Sequence, residues 1–328
     1  MLRSILAVFE PFVLALLGTV ALATIAPARG AGVPVFDGLT TAAIVLLFFL
    51  HGAKLSREAL LGGARNWRLH LVVLATTFIL FPLLGLGFVA LPFVDATMAA
   101  GLLFLTLLPS TVQSSIAFTA IARGNVAAAV CSASFSNLLG IVATPVLVAI
   151  LMSRPGASAS ISTDAIEGIA LQLLLPFLLG HALRPWLGGF VTRHKALVST
   201  VDRGSILLVV YTSFSAAVVG GLWRTVSGES LAVLLATCCC LLAAVLLLTH
   251  ALGRLLGFSR EDAIVLLFCG SKKSLATGVP IAGLLFPAAQ VGAIILPVMV
   301  FHQIQLIACA VIARRYDEQA MRAEAALS

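Results

Sequence analysis

"FCGSKKSLATGVP" (268–280) lies within one of the most apolar stretches of the chain and carries two adjacent lysines, Lys272 and Lys273. From Glu261 to Lys272 is eleven residues, about 16 Å of helix at 1.5 Å per residue. A lysine that deep in a bilayer costs about 2.5–3.5 kcal/mol. Neighbouring helical residues point about 100° apart, so the two side chains cannot share one route to water. Two ammonium groups about 6–7 Å apart repel by about 2.5 kcal/mol at an effective dielectric of 20. Something must offset that cost.

The rest of the chain says why lipid is the relevant solvent. Of 328 residues, 61% are hydrophobic and 10% charged, with a mean hydropathy of +1.13. Soluble domains are nearer half apolar and one-quarter charged. The net charge of +7 sits between apolar runs, which is a topology signal rather than a nucleic-acid signal. The six cysteines all fall in apolar segments without metal or disulfide spacing, and read as small packing residues. At the start, Glu10-Pro11 interrupts the apolar run, favouring a first spanning helix over a signal peptide.

Ten spans are expected, near 10–27, 37–53, 68–90, 96–122, 125–152, 162–184, 203–222, 230–252, 260–287 and 289–313. With both termini cytoplasmic, fifteen Lys and Arg residues lie inside and only Arg29, Arg154 and Arg224 outside; the lysine pair completes the twenty. The polar linker 153–164 divides the chain into 1–155 and 160–316, followed by a tail, 317–328. "AAGLLFLTLLPSTVQSS" in the fourth span corresponds to "DAIVLLFCGSKKS" in the ninth. Five spans per half forces the second half to enter from the opposite side, an inverted repeat. Paired interrupted helices mark the binding site of such transporters.

Both interruptions are polar. Pro109 removes a donor, and Ser110, Thr111, Gln113, Ser114 and Ser115 follow it; Gly270, Ser271, Ser274, Thr277, Gly278 and Pro280 surround the lysines. Such breaks survive in a membrane only where protein or water satisfies the backbone. All thirteen acids fall in a loop, a tail or at a span end. One lysine is therefore read as a fixed cation tethering carbonyls, and one as a group that binds an anionic solute. Ser132, Ser134 and Asn137 are candidate ligands in the fifth span, and Thr77, before Pro82, is one in the third. His302 and Gln305 are candidates in the tenth, with His302 a possible proton carrier. His51 and His70 read as interfacial edge residues. No catalytic constellation, nucleotide loop or cofactor motif is visible, and no nucleic-acid partner is indicated.

"LLPSTVQSSIAFTAIARGNVAAAVCSASFSNLLGIVATPVL" (107–147), with "ARGN" after the broken helix, resembles the bile acid:sodium symporter family. "FCGSKKSLATGVPIAGLLFP" and "FHQIQL" resemble its orphan branch. The resemblance implies an all-α polytopic membrane protein of ten helices in two inverted five-helix repeats. Spans 1, 2, 6 and 7 would form a panel, and spans 3–5 and 8–10 a core in which broken helices 4 and 9 cross. It implies alternating access and uptake of an organic anion coupled to sodium. Ser114 and Ser115 match a Ser-Asn pair at the first sodium site, and Thr77 stands where a second-site Gln would be. The fifth-span ligands fall on Ala129 and Ala133, the sodium-bridging Glu near Phe268, and a ninth-span Gln on Lys272. A site that loses its negative charge and gains positive ones suits sodium badly. The expectation is a secondary transporter of a small organic anion in a bacterial-type inner membrane. A lysine would replace sodium, leaving transport sodium-independent or proton-coupled. The rival expectations are a cation/proton antiporter and a non-transporting membrane regulator or sensor.

Overall fold

The computed structural model describes residues 11–54, 66–92, 94, 96–152 and 167–325. The basic linker expected after the second span and the polar linker at mid-chain fall largely outside these residues. Everything regular among the described residues is helix. The helices are α1 (Pro11–Ile25), α2 (Gly32–Lys54), α3 (Trp67–Val89), α4 (Ala96–Leu107), α5 (Val112–Ile121) and α6 (Val126–Leu151). They continue with α7 (Glu167–Ala182), α8 (Arg184–Arg193), α9 (Lys195–Val219), α10 (Gly228–Leu255), α11 (Arg260–Gly270), α12 (Leu275–Leu285) and α13 (Ala288–Ala325).

Among the described residues, seven helices are long and apolar enough to cross a membrane, α11 and α12 counting together as one (Arg260–Leu285), or up to nine if each bent pair counts as one span. The pairs are α4 with α5, bent by 65°, and α7 with α8, bent by 91°. The chain is thus an integral membrane protein, its apolar helix faces exposed where lipid replaces water.

Two helices outrun their apolar runs. α9 begins at Lys195 rather than near 203, and α13 continues through the expected tail to Ala325. Both additions are rich in helix-forming Ala, Arg and Glu or carry an amphipathic pattern, so propensity extends the helix past the bilayer.

The chain divides into two compact units. The first comprises residues 1–56, 153–227 and 279–295. Its centre is a reciprocal glycine crossing between α2 and α7. A Cβ on Gly52 would lie 2.0 Å from the Phe177 carbonyl oxygen, and one on Gly180 would lie 1.9 Å from that of Phe49. Only glycine allows backbones that close, the usual device for packing helices in lipid. Lys54 pairs with the buried carboxylate of Asp202. Thr40 and Thr212 share a hydrogen bond of 2.8 Å, and Tyr211 Oη donates to the Ala26 carbonyl at 2.9 Å.

The second unit comprises residues 57–152, 228–278 and 296–328. It holds both helix breaks, between α4 and α5 and between α11 and α12. Leu69, Val73, Ala128, Ala129, Ala133, Val265, Leu266 and Cys269 form one of its buried apolar clusters, which packs α3, α6 and α11 together. Gly270 lets α11 approach α3: a Cβ there would lie 2.7 Å from Thr76 Oγ1.

Candidate functional site

The two helix breaks meet inside the second unit, and the backbone groups they release pair with each other. α4 ends at Leu107, Thr111 is extended (φ −75°, ψ 128°), and α5 restarts at Val112. α11 ends at Gly270 and α12 restarts at Leu275. The Ser274 N–H donates to the Pro109 carbonyl at 2.8 Å. Ser110 Oγ donates to the Cys269 carbonyl at 2.6 Å, Thr111 Oγ1 to that of Lys273 at 2.7 Å, and Ser115 Oγ to that of Phe268 at 3.1 Å. From α6, Ser136 Oγ accepts the Ser110 N–H at 2.9 Å, and Thr144 Oγ1 donates to the Leu107 carbonyl at 2.8 Å. The hydroxyls that stand out in the sequence therefore serve largely to satisfy the broken backbone, as a hydrocarbon environment demands.

Lys273 closes the junction. Its Nζ donates to the carbonyls of Thr77 at 2.8 Å, Thr106 at 2.8 Å and Leu108 at 2.7 Å, and sits 4.1 Å from the centre of the Phe81 ring. Each acceptor is free for a local reason. A π-turn spans Thr76–Leu80, in which the Phe81 N–H bonds to the Thr76 carbonyl. The next donor in that register would be residue 82, which is proline and has no N–H. The Thr77 carbonyl is thereby left for the lysine. Thr106 and Leu108 lie at the end of α4, where terminal carbonyls are unpaired and the helix dipole favours a cation. An ammonium has three donors, and all three are used. Hydrogen bonds to a charged group stabilise by about 1.5–3 kcal/mol each, so three exceed the insertion cost of about 2.5–3.5 kcal/mol.

Lys272 differs. It is fully buried, and its Nζ has no hydrogen-bond partner among the described residues. It lies 3.9 Å from the centre of the Phe118 ring and 5.3 Å from that of Phe268. Cation–π attraction supplies about 0.5–2 kcal/mol, less than the insertion cost. Ser114 Oγ, one turn from Phe118 on α5, is likewise buried without a partner.

Of the remaining candidates, Ser271, Ser274, Thr277, Asn137, Gln305 and His302 lie at or beside the junction, and the others lie apart from it. Ser274 caps α12 by accepting the Thr277 N–H at 3.2 Å and donates to Thr277 Oγ1 at 3.0 Å; Thr277 Oγ1 donates to Asn137 Oδ1 at 2.7 Å. Ser271 Oγ donates back to the Leu267 carbonyl at 2.5 Å. Gln305 Oε1 accepts the Lys273 N–H and its Nε2 donates to the Lys273 carbonyl, both at 2.9 Å. That orientation makes Nε2 a donor to His302 Nδ1, also at 2.9 Å, so the imidazole is neutral with its proton on Nε2. Ser132 Oγ is 2.7 Å from His70 Nδ1; His70 is buried, not an edge residue, because α3 turns it toward α6. His51 is half-buried on α2 in the first unit. Gln113 is exposed and Ser134 half-buried. Thr106 has no signature in the sequence, because its contribution is a main-chain oxygen and leaves no mark in side-chain chemistry.

Long apolar helices, two of them interrupted and joined at their breaks around a buried lysine, define a polytopic helical membrane protein. The model of the SBF-like CPA transporter family matches residues 10–318, and the chain belongs to that family. A relative from Pseudomonas aeruginosa, "Uncharacterized protein PA2026", is 55% identical over 97% of this chain and 96% of its own length. "Putative symporter YfeH" of Escherichia coli (strain K12) is 52% identical over 97% and 96%. "Sodium/bile acid cotransporter 7" of Rattus norvegicus is 26% identical over 91% and 89%. The family's members are transporters, not enzymes.

Proposed function

We propose that the chain is a secondary active transporter of a small organic anion, working by alternating access, in which the Lys273 ammonium takes the place of a bound sodium ion. The observation that carries this reading is the grip of Lys273 Nζ on three main-chain carbonyls at 2.7–2.8 Å. Carbonyl oxygens converging on one positive centre are what a hard monovalent cation would need. The neighbouring chemistry agrees. Ala129 and Ala133 carry no side-chain oxygen, and Ser115 Oγ already donates to Phe268. The residues at the positions assigned to sodium by resemblance therefore fit an ion poorly. The full proposal includes ten helices in two inverted five-helix repeats, both termini in the cytoplasm of a bacterial-type cell, and an anion attracted by the lysine pair.

The name of the Rattus norvegicus relative gives a bile acid as its solute, and that of the Escherichia coli relative says symporter without naming a solute. A cation/proton antiporter is less well supported, because the described carboxylates of the second unit sit at helix ends, with Asp262 held by Asn125 at 2.9 Å. A membrane sensor would bind solute without moving it. Flux in proteoliposomes, with sodium replaced by choline, tests the reading. It is preceded by a thermal-shift screen of anionic metabolites with and without sodium, on wild type and Lys272→Ala. Flux that is indifferent to the replacement is expected; strict sodium dependence overturns the substitution of lysine for sodium, and binding without flux favours the sensor.

A further inference from the structure

We infer that Lys272 is a proton-binding site: its amine gains and loses a proton during the conformational cycle while Lys273 remains a fixed cation. The inference rests on the transporter reading, and its physical basis is the contrast between two adjacent side chains. Every N–H of Lys273 has a carbonyl acceptor. Lys272 Nζ has none among the described residues and faces the rings of Phe118 and Phe268. An ammonium is undercompensated there, whereas a neutral amine fits an aromatic, apolar enclosure.

Among the described residues, the surroundings supply no internal counter-ion. From α11 comes the Cys269 thiol; from α13 come the Cys309 thiol and the neutral His302 imidazole, all within electrostatic reach of Lys272. Tyr316 packs against the same apolar cluster as Phe268 and Cys309, beside Leu246 of α10. α5 contributes Phe118 and no ionisable group to that cluster. Among the described carboxylates of this unit, Asp262 is held by Asn66 and Asn125 and Asp317 and Glu324 by Arg123, while Glu229, Glu261 and Glu318 are exposed. A proton on Lys272 must therefore be matched by water or by an anion brought in from outside.

The step balances simply. The amine lone pair takes a proton from a hydronium ion on one side, leaving water, and the N–H bond breaks to water on the other. Carried together with a monovalent carboxylate, the proton makes the movement electrically neutral.

The test needs no organic solute. Proteoliposomes of the full-length protein on a solid-supported membrane are stepped between acidic and alkaline sodium-free buffers, and the charge displaced is recorded. Wild type is expected to give a transient, lost in both Lys272→Met and Lys272→Arg and retained in Cys309→Ala. Either lysine variant suffices should the other fail to fold. A transient of wild-type size in a folded Lys272 variant, loss of the signal in Cys309→Ala alone, or no transient in wild type overturns the inference. An anion screen that fails while the transient persists removes the transporter reading instead, so the two failures are distinguishable.

Discussion

Gln305 on α13 pairs with the main chain of Lys273 through both ends of its amide, accepting from the N–H and donating to the carbonyl at 2.9 Å each. It does for the break between α11 and α12 what the next turn of helix would have done. Gln305→Leu removes both bonds without changing the shape of the residue much. An unsatisfied buried polar group costs about 1–3 kcal/mol, so with two such groups a loss of about 2–6 kcal/mol is expected. Thermal unfolding in detergent measures it. Gln305→Glu keeps the acceptor for the Lys273 N–H and should fall between the two; an unchanged midpoint in the leucine variant would refute the pairing.

The two lysines are predicted to respond oppositely to the same substitution. Lys273→Met strands three carbonyls at the junction and should destabilise by about 3 kcal/mol or more. Lys272→Met removes an amine with no hydrogen-bond partner among the described residues and is expected to be neutral or stabilising, since a buried polar group without a partner carries a cost that an apolar side chain does not. Paired melting curves decide the matter. Equal losses would mean that Lys272 has a partner that its geometry does not reveal.

The lysine pair and the hydroxyl run after Pro109 stand out in the sequence because polar side chains are costly in apolar segments. What those side chains hold on to was not legible. The acceptors of Lys273 are main-chain oxygens, which every residue carries, and only Pro82 hints that the Thr77 carbonyl is free. The π-turn at Thr76–Leu80 has no side-chain signature either. His70 reads as an edge residue because it follows a basic linker, yet the turn of α3 buries it against α6. Helices with strong apolar runs begin and end within a few residues of the expected spans, while α9 and α13 extend past theirs because hydropathy reports lipid and helix propensity continues into water.

Gly52 and Gly180 gave no warning of their reciprocal contact, one glycine among many in each apolar run. Alanine at either position places a methyl about 2 Å from a carbonyl oxygen of the opposing helix. A carbonyl cannot rotate away as a side chain can, so α2 and α7 must separate along their crossing. Overpacking of this kind costs about 1–3 kcal/mol, and backbone placement puts these sites at the upper end. Each alanine variant is expected to lower the melting midpoint markedly, and the double variant to cost less than the sum, since the first already parts the helices. Full additivity would show the two contacts to be independent.

Arg123 offers the clearest ionic prediction. It is held at φ 58°, an uncommon conformation for a residue with a Cβ. Its Nε donates to Asp317 at 2.7 Å and its Nη1 to Glu324 at 2.6 Å, tying the end of α13 to the turn between α5 and α6. The bonds to Glu324 and Asp317 raise the guanidinium pKa further above its already high ordinary value. For a cation whose folded pKa is raised, the stabilisation is present below the unfolded pKa and is lost only as pH rises through the folded one. Both lie above the workable range, so titration of Arg123 itself contributes no pH dependence near neutrality. Salt is the effective variable, because the pairs are exposed and screened. Arg123→Ala should lower stability slightly in dilute buffer, with the difference fading at high salt. Arg123→Gly loses the same pairs but removes the backbone strain, so at high salt it should melt above the alanine variant. Melting curves across an ionic-strength series would show it, and a salt-independent deficit shared equally by both variants would mean that neither the clasp nor the strain matters to stability.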